Sequence, residues 1–384
     1  MKTPLLITIG CLATLLQPLA ATSPPGKPPV DPSPGKHKVQ IALLLDTSNS
    51  MDGLIDQAKT QLWKVVNTFI DARRDGEAPF VEVALYEYGN NNQHIGNHYI
   101  RQVQPLTRDL DELSRQLFAL RTNGGDEYCG AVIQRALADL SWDANPATYK
   151  AVFIAGNEPF TQGTVDPRQA CRDALSKGVI VNTIHCGPRQ DGISGSWHEG
   201  AALAGGVFMI IDQDSAVRHI PAPQDKKITE LGIELNKTYL GYGKLRQEAA
   251  MKQTMADRDA TANAAAGAAV ERAVSKASAN YHNSSWDLVD AIRENKVDPA
   301  KLEAADLPES LQGLSVDELK ARVQEAATRR VAIQSEIDTL NKERTAFVDA
   351  ERAKQAAGGG KTLDEVMVET TRSQAAALGY HFGK

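Results

Sequence analysis

The chain has 384 residues, 42% of them hydrophobic, which is enough to bury a sizeable core and to form about two or three domains. Its 48 acidic and 42 basic residues leave a net charge of −6, with no broad basic field and no like-charged tail. Nucleic acid is therefore not the expected partner.

The first residues read as a targeting segment. Lys2 precedes an apolar stretch from Leu5 to Leu16, and Leu19, Ala20 and Ala21 supply small residues for cleavage, so residues 1–21 are expected to be a secretory signal peptide. Cys11 after Gly10 raises a lipoprotein alternative, which Thr8 and Ile9 fit poorly. No other stretch approaches the roughly 18 apolar residues of a membrane span. The mature protein is expected to be exported, either periplasmic or secreted. Residues 22–37 are rich in proline and read as an extended linker.

From Val39 onward, apolar runs alternate with helical patterns. Strands are expected at 39–45, 80–88, 99–103, 151–155, 179–184 and 207–211, with helices following most of them. Residues 38–216 are thus expected to form an α/β domain, a doubly wound and mostly parallel sheet with helices on both faces. Ligands of such sheets gather outside the carboxyl ends of the strands. Three polar loops fall there: Asp46-Thr47-Ser48-Asn49-Ser50, Asn123-Gly124-Gly125-Asp126-Glu127 and Gly156-Asn157-Glu158-Pro159. A helix cap needs one side chain, whereas the first loop offers a carboxylate and hydroxyls at i+2 and i+4, hard oxygens suited to Mg2+.

Asp46-x-Ser48-x-Ser50 at the end of an apolar strand resembles the DxSxS signature of the von Willebrand factor type A domain, and residues 39 to about 213 follow that family's order of strands and helices. The remainder is similar to the helical tails of exported bacterial proteins that carry this domain. The resemblance implies a metal-ion-dependent adhesion site for Mg2+ or Mn2+, with Asp46, Ser48 and Ser50 as ligands. The family's threonine falls on Asp126 and its final aspartate on Gly156, so Asp126 and Glu158 complete the candidate set. The implied function is non-enzymatic binding of a protein partner through a carboxylate. The alternative is a structural envelope protein whose type A fold has lost its metal.

Cys129, Cys171 and Cys186 remain after the signal segment, an odd number. A Cys129 to Cys186 bridge is expected, both lying near the rim of the fold, with Cys171 to Cys186 as the other choice. Enzyme motifs fail on inspection. His185 and Cys186 are adjacent on a strand and point to opposite faces, His198-Glu199 lacks a second histidine, and Gly358-Gly359-Gly360-Lys361-Thr362 lacks the first glycine of a phosphate loop.

Beyond residue 217 strands vanish, and residues 217–384 are expected to be all-α and partly coiled coil. Ser315 with Glu318 and Thr362 with Glu365 read as capping boxes. Leu319, Val323, Ala326, Arg330, Ile333, Ile337, Leu340, Arg344 and Phe347 keep a 4-3 spacing. That seam could make a dimer or close on the alanine-rich helix of the same chain. Arg330 and Arg344 within it favour the intramolecular hairpin, because unpaired charge is costly in a dry dimer.

Overall fold

In the computed structural model, residues 37–211, 219–263, 267–355 and 363–382 are described. The expected signal peptide, the linker up to residue 36, the boundary near residue 216 and the Thr362 capping box lie outside them. All described residues fall in one compact unit.

Six strands form the sheet: β1 Lys38–Asp46, β2 Phe80–Tyr88, β3 Arg101–Thr107, β4 Tyr149–Gly156, β5 Ile180–Cys186 and β6 Phe208–Ile211, in spatial order β3-β2-β1-β4-β5-β6. All neighbours pair in parallel except β3, which runs antiparallel to β2 at the edge. β1 and β4 are buried almost throughout, which is why they read as unbroken apolar runs rather than alternating ones. β3 starts two residues later than expected and extends to Thr107; its half-exposed sequence RQVQPLT lacks that signal.

The helices of the α/β part are α1 Asp52–Asn67, α2 Leu110–Ala119, α3 Cys129–Asp139, α4 Pro167–Ser176, α5 Arg189–Ser194 and α6 Trp197–Leu203. Alternating residues of each strand feed two cores. Leu43, Leu45, Phe153 and Ile184 pack with Trp63 of α1, Phe69 just beyond its end, and Leu113 and Leu117 of α2. Leu44, Tyr88 and Ile154 pack on the other face with Val132 of α3, Cys171 of α4 and Trp197 of α6.

This separation corrects the disulfide expectation. Cys129, Cys171 and Cys186 are free, buried thiols. Cys129 belongs to the α3 face and Cys186 to the α1 face, so the sheet stands between the expected partners.

The rest of the chain is helical: α7 Asp225–Asn236, α8 Arg246–Ala262, α9 Ala268–Ala277, α10 Leu288–Arg293, α11 Val316–Gln355 and α12 Leu363–Ala376. The Ser315–Glu318 capping box is formed, with the Ser315 amide donating to Glu318 Oε2 at 2.8 Å. The apolar stripe of α11 is buried within the chain, but it lies on several short elements instead of one long partner helix. Leu319 and Val323 pack with Leu288 and Leu311, while Ile333 and Ile337 pack with Ile228, Leu231 and Val274. The arginines of the stripe have acidic partners. Arg330 pairs with Asp287 at 2.8 Å and Asp290 at 2.9 Å, and Arg344 with Asp225 at 2.8 Å and Glu271 at 3.0 Å.

A third buried arginine joins this region to the α/β part. Arg272 of α9 is 2% exposed and has its guanidinium 4.5 Å from the Trp63 ring and 5.0 Å from that of Tyr281. It pairs with Asp111 of α2 at 2.6 Å and Asp257 of α8 at 2.9 Å. At the far end of the chain α12 lies on the sheet, where Met367 and Ala375 join the α1-side core and the Gln374 amide donates to Asn182 at 2.9 Å. Beyond it, His381 bridges Arg73, and the Tyr380 hydroxyl donates to the Lys38 carbonyl at 2.8 Å.

Among the described residues, no helix is long and apolar enough to cross a membrane.

Candidate metal centre at the carboxyl rim

Asp46 ends β1 opposite Tyr88, and the chain then turns so that the Ser48 amide donates to Asp46 Oδ1 at 2.7 Å. Ser48 and Ser50 hold their hydroxyls 3.4 Å apart. No side chain caps the short 3-10 turn Asn49–Met51 or the α1 helix behind it, so neither hydroxyl is consumed by capping. The loop is fixed from behind by Asn90. Its side-chain amide donates to the Arg121 carbonyl at 2.8 Å and to Thr47 Oγ1 at 3.2 Å. Asn90 was not anticipated from sequence, since an asparagine two residues past the end of a strand carries no distinguishing signal.

The second loop approaches through glycines. Gly89 has a positive φ of 77°, and a Cβ there would stand 2.7 Å from Glu127 Cγ and 2.9 Å from Asp46 Oδ1. Gly125 lies so close to Gly89 that a Cβ would meet its carbonyl oxygen at 2.5 Å. The turn delivers Glu127, 5% exposed, beside Asp46. Asp126 is exposed and accepts from the Tyr128 hydroxyl at 3.1 Å. Of two adjacent carboxylates, the backbone sends the second inward and the first out.

The third loop supplies Asn157, whose amide donates to Ser50 Oγ at 3.0 Å. Glu158 is exposed at the margin, its carbonyl accepting from Trp197 Nε1 at 2.8 Å, and its charge reaches both Asp46 and Glu127. Gly156 leaves no room for a side chain: a Cβ would fall 2.5 Å from the Tyr88 hydroxyl and 3.2 Å from both Asp46 Oδ2 and the Trp197 ring. Tyr88 is held there by its bond to the Ala155 carbonyl at 2.8 Å. Gly156→Ala is thus expected to lower stability by about 1–3 kcal/mol through overpacking. Urea unfolding measures it, and an unchanged midpoint would show that Tyr88 yields freely.

Three buried oxygens at this rim have no hydrogen-bond partner: Asp46 Oδ2, Glu127 Oε2 and Asn157 Oδ1. Burial, opposed by hydrogen bonds from Ser48, pushes the Asp46 carboxyl up to about 7. Burial together with the Asp46 charge pushes Glu127 up to about 8. Two carboxylates, two hydroxyls and an amide oxygen form a hard-oxygen donor set. Among the described residues no group of three His, Cys, Asp or Glu is placed to hold a metal, so hydroxyl and amide oxygens have to contribute to any such site.

A doubly wound sheet with an Asp-x-Ser-x-Ser loop at its carboxyl rim defines the class of this α/β domain. Residues 40–196 match the family described as von Willebrand factor type A domain, and this part of the chain is such a domain. Type A domains commonly serve protein–protein interaction. The chain is similar to BatB from Bacteroides thetaiotaomicron, with 17% identity, TM-score 0.35, and coverage of 45% of this chain and 90% of that one. It is also similar to the SpRpn10 VWA domain, with 16% identity, TM-score 0.35, and coverage of 45% and 87%. A third similar structure is proximal thread matrix protein 1 from the mussel byssus with a zinc-occupied MIDAS motif, at 14% identity, TM-score 0.33, and coverage of 47% and 42%. No curated protein matches the chain.

Proposed function

We propose that this protein is an exported, non-enzymatic binding protein that holds Mg2+ or Mn2+ with Asp46, Ser48, Ser50 and Glu127 and engages a protein partner there. The observation that carries this reading is the convergence of Asp46 Oδ2, Glu127 Oε2 and Asn157 Oδ1, buried and unpartnered, on one rim. Burying unpaired carboxylate oxygens is costly, and a divalent cation removes the cost. When bound, such a cation supplies positive charge and an exchangeable position for a carboxylate of the partner. Glu127 takes the role expected of Asp126, and Glu158 tunes the field from the margin. The helical region serves as the scaffold that carries the domain.

The pH dependence follows from the carboxyl groups. Both have folded-state pKa values above the ordinary carboxylate range, so the metal-free fold is most stable where they stay protonated and loses that contribution as pH rises toward 7 and 8. A cation binds the ionised forms and releases protons. Mg2+ is therefore expected to bind more tightly at pH 8.5 than at pH 6, with proton release measurable by calorimetry in buffers of different ionisation enthalpy. Affinity that is flat across this range would remove Asp46 and Glu127 from the site, and no binding at all would leave the metal-free structural protein as the reading. Export is tested separately, by the N-terminal sequence of the protein recovered from outside the cytoplasm.

A further inference from the structure

We infer that the partner segment received at this rim is basic, and that one of its arginine or lysine side chains seats on the rings of Tyr99 and Tyr128 beside the Asp126 carboxylate. The inference deepens the reading above, because it names the partner chemistry for the same rim.

At the carboxyl ends of the strands Arg101 is paired with Glu87 at 2.6 Å, Arg168 is paired with Glu199 at 2.9 Å and Arg189 lies over the Phe208 ring, while the loops and helix starts there carry further carboxylates at Asp46, Asp52, Asp126, Glu127, Glu158 and Asp166. Among the described residues, only Asp166 of these further carboxylates lies within ion-pair distance of a cation, Arg172 at 4.0 Å. Arg121 turns its guanidinium onto the carbonyls of Phe118 and Leu120 at 2.9 and 2.7 Å. A divalent cation on Asp46 and Glu127 would balance those two and leave Asp52, Asp126 and Glu158 uncompensated. A purely acidic partner would meet a net negative rim even with metal bound, whereas a carboxylate flanked by basic residues meets complementary charge on both counts.

The aromatic half of the seat adjoins Glu127 in sequence. Tyr99 and Tyr128 have ring centroids 6.0 Å apart, and His98 stands edge-on to Tyr128 at 5.9 Å. All three are half-buried. His98 and Tyr99 are consecutive non-glycine residues in left-handed conformation, with φ of 57° and 55°, an unfavourable backbone that the surrounding loop maintains. It holds the rings over Tyr128, whose hydroxyl is bound to Asp126. A guanidinium or ammonium beside a tyrosine face and an exposed carboxylate is attracted by both. Glu127, next to Tyr128 in the chain, is 5% exposed and keeps its Oε2 unpartnered, so a buried carboxylate oxygen without a partner adjoins the rings in sequence.

The test uses the full chain and three acetylated, amidated pentapeptides, Arg-Ala-Asp-Ala-Arg, Ala-Ala-Asp-Ala-Ala and Glu-Ala-Asp-Ala-Glu, titrated calorimetrically with Mg2+ and again with EDTA. The basic peptide is expected to bind roughly tenfold more tightly than the neutral one, and the acidic peptide more weakly than either. Asp126→Asn, an exposed change that leaves the fold and Mg2+ binding intact, and Tyr99→Ala are each expected to cut that preference about threefold. An ordering that persists in EDTA supports the basic seat while removing the metal from the proposed function. Equal or reversed ordering, a preference unchanged in Asp126→Asn, or no binding of any peptide at millimolar concentration overturns the inference, even if Mg2+ binds normally.

Discussion

Mg2+ at millimolar concentration is expected to raise the melting temperature of the wild-type chain, with Glu127→Gln or Asp46→Asn abolishing the rise and Asp126→Asn retaining it. Ligand binding to the folded state alone stabilises by RT ln(1 + [L]/Kd), so a hundredfold excess over Kd contributes about 2.7 kcal/mol. Asp46 is fully buried and Glu127 nearly so, which leaves each side chain few alternatives to ligating a cation. The neutral variants carry a second expectation. Removing one of two buried carboxylates relieves their repulsion, so in EDTA both variants melt above the wild type, and the order reverses when metal is added. Differential scanning fluorimetry at pH 8 resolves both arms. A wild-type melting curve indifferent to Mg2+ and Mn2+, or equal loss in Asp126→Asn and Glu127→Gln, would sink the assignment.

The other large effect is expected at Arg272. Arg272→Ala leaves Asp111 and Asp257 without their guanidinium and empties the slot between Trp63 and Tyr281. Breaking a buried pair by removing one partner costs about 3–5 kcal/mol, here chiefly because Asp111 is left buried without a counter-ion. Lys276 cannot substitute, since burial already pulls its ammonium down to about 8 and it is committed to Asp257 at 2.8 Å. Arg272→Lys keeps the charge and loses the planar stack, and should fall between. Chemical unfolding gives the magnitude. A loss of less than about 1 kcal/mol for Arg272→Ala would mean that water reaches the pair.

Much of the α/β part was legible because parallel strands buried on both faces announce themselves as apolar runs. The edge strand β3 was displaced because its polar, proline-bearing sequence has no such run. That Asp46, Ser48 and Ser50 share one loop at the end of an apolar strand was readable from their spacing. The choice between Asp126 and Glu127 was not, for which of two neighbouring carboxylates turns inward depends on how closely Gly125 approaches Gly89, a contact between segments far apart in sequence. The cysteines failed for a related reason: both lie near the rim, but strand parity puts Cys186 on the face opposite α3. Arg330 and Arg344 stood out as anomalies in an apolar stripe. Their partners, Asp287, Asp290, Asp225 and Glu271, lie on other elements that no local pattern links to them.

The position of α12 bears on the order in which this protein can be completed. Met367, Ala375 and Tyr380 close the α1-side core, and His381 pairs with Arg73, so the sheet's own covering includes residues synthesised long after the type A segment. A nascent chain with the whole type A segment already made still shows an unfinished apolar face beside Tyr149 and Phe153, and the contacts that finish it span most of the sequence. Such long-range closure is slow, and the open intermediate is prone to association. A fragment ending near residue 216 inherits that face permanently, and solubility screens of truncations should therefore show a sharp improvement only when residues 363–382 are restored.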